Sequence, residues 1–252
     1  MTQFRTKKNI YIFAFIIFFI IIALYLNRSY AHIYKFISAA NLPPVNLSEK
    51  YLFDTMATTS LTYVALGDSL TAGAGADNDQ ESFPYFLAQK IADNKKVILH
   101  NRAVPGYKTS DLIFNLLDKA INDRPDVISL LIGVNDIHDQ VPEKEFAKNY
   151  EIILKRLTTK TQSKINVINL PYIGADNLIL PPYNFYFNKK TQAYNLIIKN
   201  LADKYRVNYI DLYAPSLELF KKPGSHYSAD LFHPSASGYK IWADLIYDHF
   251  NY

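Results

Sequence analysis

Three residues in this chain have the types and the spacing that nucleophilic catalysis needs. Ser69 lies in a GDSL tetrapeptide that follows an apolar run, and Asp230 and His233 are three residues apart near the C-terminus. A serine hydroxyl becomes a nucleophile when an imidazole takes its proton, and a carboxylate can hold that imidazole in the required tautomer. The three residues therefore predict acyl-transfer chemistry at Ser69.

Two further residues could stabilise negative charge on a reacting oxygen. Gly106 ends the sequence NRAVPG, and a glycine lets its backbone N–H approach a substrate closely. Asn135 lies in the sequence GVND, and its side-chain amide donates hydrogen bonds without titrating. Taken singly, each is also an ordinary turn residue.

Simpler interpretations stay open at this level. A serine between a strand and a helix commonly caps the helix, so the tetrapeptide alone is a weak signal. His138, flanked by two aspartates, and His226, in a loop, are alternative bases. Residue types alone therefore do not decide which histidine serves Ser69.

The chain that must position these residues alternates between short apolar runs and amphipathic stretches. Such alternation predicts a parallel sheet between layers of helices, and the loops that leave the carboxyl ends of its strands meet along one edge. Ser69, Gly106 and Asn135 each follow a predicted strand. The predicted strands are 61–66, 97–104, 126–132, 164–170 and 207–212, and the predicted helices are 83–93, 109–122, 143–158, 189–204 and 235–249.

In their order along the chain, these motifs resemble the four blocks of the SGNH, or GDSL-type, hydrolase family. The blocks are GDSL at 67–70, the glycine at 106, GVND at 133–136 and DLFH at 230–233. The resemblance is strongest to the bacterial extracytoplasmic lipase and acylhydrolase branch. It implies a three-layer α/β/α sandwich with a parallel, flavodoxin-like sheet.

The same resemblance assigns roles to individual positions. It implies Ser69 as the nucleophile and Asp230 and His233 as the rest of a triad. It also implies an oxyanion hole made by the N–H groups of Ser69 and Gly106 and by the Asn135 side chain. We therefore expect a serine esterase or acylhydrolase that cleaves carboxylic esters or thioesters through an acyl-enzyme on Ser69.

Two alternatives to simple ester hydrolysis use the same residues. An O-acetyl esterase or acetyltransferase acting on cell-wall or other glycans would need the same nucleophile and oxyanion hole. A catalytically silent binding protein is the third class, and it is disfavoured because all five site positions carry competent residues. The expected partners are small-molecule, lipid or glycan esters.

The N-terminus carries a membrane signal. Residues 10–26 form an apolar run of seventeen residues without a charge, which as a helix spans ~26 Å, close to the ~30 Å hydrocarbon core. Arg5, Lys7 and Lys8 precede it, and the positive-inside rule then sends the rest of the chain outward. A cleaved signal peptide, cut near Ser29-Tyr30-Ala31, is the alternative, and it would give a secreted protein.

The sequence pattern divides the chain into three parts. Residues 1–26 are interpreted as a cytoplasmic tip and transmembrane helix, 27–59 as a stalk with one short amphipathic turn around 32–37, and 60–252 as the hydrolase domain. We expect this domain to lie outside the cytoplasm, held at the membrane by the N-terminal helix.

Charge and composition exclude several classes of protein. Residues 1–35 contain five basic residues and no acidic one, which leaves 22 basic and 23 acidic residues in the remainder. A body so close to neutral argues against a nucleic-acid partner. The absence of cysteine excludes a disulfide framework and a thiolate nucleophile. No metal-ligand pattern or phosphate-binding loop is present in the sequence, so we expect no cofactor.

The irregular stretch 172–188 follows the fourth predicted strand and should overhang the site. Two interpretations of its apolar side chains remain open. They could line an acyl-binding groove or dip into lipid, or they could pack back onto the domain or form a dimer contact. The side chains concerned are Leu178, Ile179, Leu180, Tyr183, Phe185, Tyr186 and Phe187.

Overall fold

A computed structural model describes residues 2–40, 42–48, 50–54 and 56–252 of the chain, with the backbone alone for residues 2–8. The first element is a long helix, α1, which spans Thr2–Ala39. The side chains of Arg5, Lys7 and Lys8, on which the predicted orientation depends, lie outside the described part.

A six-stranded sheet forms the centre of the molecule, with the strand order β1-β3-β2-β4-β5-β6. The five strands β2 to β6 run parallel, as predicted, and their order is that of a flavodoxin-like sheet. The strands are β1 (Tyr51–Phe53), β2 (Ser60–Gly67), β3 (Lys96–Asn101), β4 (Val127–Leu131), β5 (Lys164–Ile168) and β6 (Asn208–Ile210).

Helices pack in two layers around this sheet, which confirms the predicted three-layer architecture. One layer pairs α3 with α10, and the other contains α4, α5, α7 and α8. The helices after α1 are α2 (Ser69–Ala72), α3 (Phe83–Ile91), α4 (Thr109–Asn115), α5 (Leu117–Asn122), α6 (Val134–His138), α7 (Glu143–Lys160), α8 (Tyr183–Tyr205), α9 (Tyr213–Phe220) and α10 (Ala236–Tyr247), with a 3₁₀ turn at Asp79–Glu81.

The strand β1 was not predicted, and it lies inside the segment interpreted as a stalk. It pairs antiparallel with β3, with Tyr51 opposite Leu99. The buried Tyr51 ring anchors it, and the Tyr51 hydroxyl donates to Asp79 Oδ2 at 2.7 Å. A strand of three residues is too short to show an alternating pattern, so the sequence gives no signal for it.

Other boundaries also differ from the sequence-based expectations. The helix predicted over 109–122 is interrupted at Leu116, where φ is −117°, so two shorter helices replace it. The stretch predicted to be irregular over 172–188 is shorter, because α8 begins at Tyr183. The stretch 27–59 begins as a continuation of α1, which ends at Ala39.

The core surrounds the central strand β4, all of whose five residues are buried. A strand covered on both faces needs apolar side chains on both, which explains the continuous run 127–131. On the α7–α8 side, the rings of Phe146 and Tyr194 are stacked with centroids 3.9 Å apart, and both side chains are fully buried. This stack ties the two longest helices after α1 to each other.

The helix α1 differs from the rest of the chain in its exposure. Residues Asn9–Ala39 form the one described helix long and apolar enough to cross a membrane, and none of its most apolar stretch is buried. Phe13 and Phe15, for example, are both more than half exposed.

Replacing Phe146 with alanine should lower the free energy of unfolding by about 3–5 kcal/mol, because it empties a fully buried ring position. The single tryptophan, Trp242, is buried, so urea unfolding can be followed by its fluorescence. Phe114→Ala is the matched control, since that ring is 83% exposed and its loss should change stability by less than about 0.5 kcal/mol. Equal effects of the two substitutions would contradict this account of the core.

Candidate active site

Ser69 follows the carboxyl end of β2, which lies beside β4 in the middle of the sheet, and it is the first residue of the short helix α2. Asp68 caps this helix, and its Oδ1 accepts a hydrogen bond from the Leu70 N–H at 3.0 Å. At Gly67 a Cβ atom would stand 2.0 Å from Thr71 Oγ1 and 2.3 Å from the Leu131 carbonyl oxygen. Only glycine fits there, so the close packing of strand and helix determines where the serine hydroxyl emerges.

The structure brings His233 and Asp230 to this serine, although 164 positions separate Ser69 from His233. His233 Nε2 lies 3.0 Å from Ser69 Oγ, and His233 Nδ1 lies 2.6 Å from Asp230 Oδ2. A carboxylate accepts hydrogen bonds only, so Nδ1 carries the proton and Nε2 is free to accept one from the serine. This is the arrangement that a serine nucleophile and its base require.

The carboxyl group of Asp230 is fully buried and accepts hydrogen bonds on both oxygens. Besides the imidazole, it accepts from the Ser228 hydroxyl at 2.7 Å and from the N–H groups of Phe232 and His233, both at 2.9 Å. Burial raises the pKa of Asp230, but the hydrogen bond and charge of His233 and the other donors outweigh it, and the pKa falls below its ordinary value. The carboxylate is therefore ionised at neutral pH.

The two further donors predicted from the sequence lie on either side of Ser69. Gly106 follows β3 and Asn135 lies in the first turn of α6, just after β4, and these two strands flank β2 in the sheet. Asn135 Nδ2 donates to the Tyr107 carbonyl oxygen at 3.0 Å. That bond joins the two loops, fixes which way the amide faces and leaves its second N–H available.

Gly106 has the conformation that its predicted role needs. Its φ is +82°, a region that glycine adopts readily, and a Cβ atom there would meet nothing within 4 Å. The residue is exposed, so its backbone is reachable from outside. Positive φ, rather than crowding, is what favours glycine at this position.

Two buried carboxyl groups for which the sequence predicted no role lie beneath the site. Asp136 accepts from the N–H of Thr109 at 2.9 Å and from its hydroxyl at 2.5 Å, which ties α6 to the start of α4. Asp68 Oδ2 is buried and accepts no hydrogen bond with ordinary geometry from any described residue. Burial, with the nearby charge of Asp136, raises the pKa of Asp68 to about 7.

The other histidines considered from the sequence lie in different surroundings. His138 is exposed and its Nδ1 faces Asp139 Oδ1 at 3.0 Å, whereas His226 Nε2 bonds to the Lys222 carbonyl oxygen. The geometry therefore favours His233 as the base. Within the described ranges, no three His, Asp or Glu side chains are grouped so that they could hold a metal ion; the absence of a cofactor stays a prediction.

The segment 172–188 lies against the turn that carries the histidine. The N–H of Ala175 donates to the carbonyl oxygen of Leu231 at 2.9 Å. Some apolar side chains of this segment pack back onto the domain and others face outward. Leu178 is buried against the domain, while Phe185 is 68% exposed and Tyr186 is 40% exposed. Neither interpretation describes the whole segment.

Sequence reasoning missed the supporting residues Ser228, Thr109 and Asp68. The signal for Ser228 is its position two residues before Asp230, from which a hydroxyl can reach the carboxylate. The signal for Asp68 is that aspartate is a common N-cap residue directly before a helix. Thr109 carried no signal of its own, because its role comes from its bonds to the distant Asp136.

Comparison with known proteins assigns the chain to a family. A model of the GDSL-like lipase/acylhydrolase family matches residues 65–241, which include all five predicted site positions. The chain is 28% identical over 212 residues to the spore germination lipase LipC of Bacillus licheniformis, covering 74% of this chain and 95% of LipC. It is 25% identical over 169 residues to an acetylxylan esterase of Geobacillus stearothermophilus, covering 62% of this chain and 74% of that protein.

Solved structures support the fold. The crystal structure of TesA matches with a TM-score of 0.63 and 16% identity, covering 75% of this chain and 97% of TesA. At that identity the likeness concerns the fold alone. The matched part of the chain is about as long as the part that forms the sheet and its two helical layers.

Asp68→Asn should change how stability depends on pH. The folded chain holds a proton on Asp68 up to about pH 7, whereas the unfolded chain loses it near its ordinary value of 3.8, so wild-type stability falls as pH rises between these values. The loss is at most about 1.4 kcal/mol per pH unit. The asparagine variant lacks this loss, so its stability relative to wild type should rise across that window and level off above pH 7. Urea unfolding between pH 4.5 and 8 measures the difference, and parallel curves would contradict the assignment.

Proposed function

We propose that this chain, which belongs to the GDSL-like lipase/acylhydrolase family, hydrolyses carboxylic esters with Ser69 as its nucleophile. The observation that carries the proposal is the hydrogen-bonded sequence Ser69 Oγ, His233 Nε2, His233 Nδ1 and Asp230 Oδ2, with separations of 3.0 and 2.6 Å. Relatives named as a lipase and as an acetylxylan esterase are consistent with ester chemistry.

In the first half of the reaction, Ser69 Oγ attacks the ester carbonyl carbon while His233 Nε2 takes the hydroxyl proton. Negative charge develops on the carbonyl oxygen, where the N–H groups of Ser69 and Gly106 and the free N–H of Asn135 would donate to it. Collapse of the tetrahedral intermediate breaks the bond to the alcohol oxygen, which leaves with the proton from His233. The acyl group stays on Ser69.

The second half repeats these steps with water. His233 takes a proton from water as it attacks the acyl carbon, and the same donors hold the oxyanion. Collapse returns the proton to Ser69 Oγ and releases the carboxylic acid. Asp230 stays ionised throughout and stabilises the imidazolium each time it forms.

The apolar helix α1 supports a proposal about location. We propose that residues 1–26 remain as a membrane anchor, with 27–59 connecting it to a catalytic domain of residues 60–252 outside the cytoplasm. The support is the length and exposure of the helix, together with the basic residues that precede the apolar run in the sequence. Cleavage of the same segment as a signal peptide would instead release the domain.

A second candidate function is removal or transfer of acetyl groups on glycans. It is favoured by the relative named as an acetylxylan esterase. The two functions differ in acyl-chain preference, since an acetyl esterase discriminates against longer chains. Adding an alcohol acceptor and identifying the products separates hydrolysis from transfer.

Replacing Ser69 with alanine should abolish hydrolysis of p-nitrophenyl acetate and labelling by a fluorophosphonate probe, because both need the serine oxygen. Helix content measured by circular dichroism should be unchanged, since the hydroxyl is half-buried and its bond to His233 contributes little to the fold. Heat-denatured wild type controls for unspecific labelling. Retained labelling of the alanine variant would assign the nucleophile elsewhere.

Asn135→Ala should lower kcat by roughly 10²-fold, equivalent to about 3 kcal/mol, because it removes one donor to the developing oxyanion. KM should change little if the amide acts mainly in the transition state. The control is Asn122→Ala, an exposed asparagine at the end of α5, before β4 begins and therefore away from the site. A loss carried by KM alone would point to substrate binding instead.

A further inference from the structure

The end of the apolar run in α1 lies directly against the catalytic domain. The Tyr183 hydroxyl donates to the carbonyl oxygen of Leu26, the last residue of the run, at 3.5 Å. The Tyr30 ring lies 6.1 Å from the Tyr183 ring, and His32 Nε2 donates to the Asn177 carbonyl oxygen at 2.9 Å. Ser29, between these contacts, is buried. The end of the run and the first residues of the connecting segment 27–59 therefore lie directly against the domain.

This contact determines which part of the domain meets the bilayer. When the run 10–26 spans the hydrocarbon core, Leu26 lies at its boundary, and so does Tyr183, the first residue of α8. Phe185 and Tyr186 follow within the same helical turn and are exposed. Aromatic side chains are enriched at the headgroup level of membranes, where an apolar ring and a polar edge are both accommodated.

A line of mostly apolar side chains joins this first turn of α8 to the neighbours of Ser69. Two small gaps in the packing, each with room for about one water molecule, share walls formed by Tyr172 and Ile173. The first gap is also lined by Leu70 and Phe232, the neighbours of the nucleophile and of the base. The second reaches the start of α8 and the loop before it, through Ile179, Asn184, Phe187 and Asn188.

We propose that residues 183–187 form a bilayer-contact surface and that the ester substrate reaches Ser69 from the membrane, along the apolar side chains that join this turn of α8 to the neighbours of Ser69. The inference rests on the proposed esterase function and names its substrate class, esters of acyl chains held at a lipid surface. The bilayer itself is the occupant of the surface formed by Tyr183, Phe185 and Tyr186, because the exposed apolar run of α1, which needs lipid, ends at Leu26 beside Tyr183.

Tryptophan substitution tests the contact without using catalysis. In full-length protein reconstituted in phosphatidylcholine–phosphatidylglycerol vesicles, Phe185→Trp should be quenched by brominated phosphatidylcholine. Leu196→Trp is the matched control: Leu196 is 60% exposed on the same helix, and lies about 16 Å further along it. The fraction of its emission that the brominated lipid quenches should be as small as in wild type, in which only the buried Trp242 emits. Equal quenching at 185 and 196, or none at 185, would overturn the proposal.

A self-association surface would give a different result. If a second copy covered Phe185, its tryptophan emission would depend on the protein-to-lipid ratio and would not respond to the brominated lipid. That outcome overturns the bilayer contact in favour of a dimer. Failure of the proposed esterase function would appear separately, as a wild-type chain inactive on p-nitrophenyl acetate, and would leave the quenching unaffected.

Activity provides the second readout. The double variant Phe185→Asp, Tyr186→Asp should lose about tenfold in rate on a long-chain p-nitrophenyl ester carried in the vesicles, because charged side chains oppose the contact. It should keep its rate on p-nitrophenyl acetate in water, as should the control Leu196→Asp on both substrates. Unchanged activity of the double variant on the vesicle-borne ester would contradict delivery from the membrane.

Discussion

The buried carboxylate of Asp230 is the group on which the geometry of the site depends. It accepts four hydrogen bonds, two from backbone N–H groups, one from Ser228 and one from the imidazole it orients. With its other partners fixed by the backbone and by Ser228, the carboxylate has one direction left in which to hold His233. The ring then points its second nitrogen at Ser69, and removing the charge would leave buried donors without an acceptor.

The sheet supplies the second half of the arrangement. Since β2 lies between β3 and β4, the loops that carry Gly106 and Asn135 emerge on both sides of Ser69. Side-chain bonds then join these loops, from Asn135 to the Tyr107 carbonyl oxygen and from Thr109 to Asp136. Strand order brings the segments together, and these bonds set their final positions.

Much of this architecture could be predicted from the sequence, because long apolar and amphipathic patterns report burial directly. The five parallel strands and the larger helices around them were predictable in this way. The strand at 51–53 was not, because three residues carry no period, and the break at Leu116 was not, because its residues continue the helical stripe. Ser69, Gly106 and Asn135 lie at predicted strand ends, while the supporting role of Thr109 depends on a tertiary contact with Asp136 that no local pattern encodes.

The two outermost strands, β1 and β6, are each only three residues long. An open sheet edge exposes unpaired backbone groups that can pair with the edge of another molecule. Under the membrane anchoring proposed above, the molecules would lie in one plane and would meet more often and in fewer orientations than molecules free in solution, which would favour such pairing. Edges this short offer few backbone hydrogen bonds to a neighbouring molecule, which disfavours such pairing.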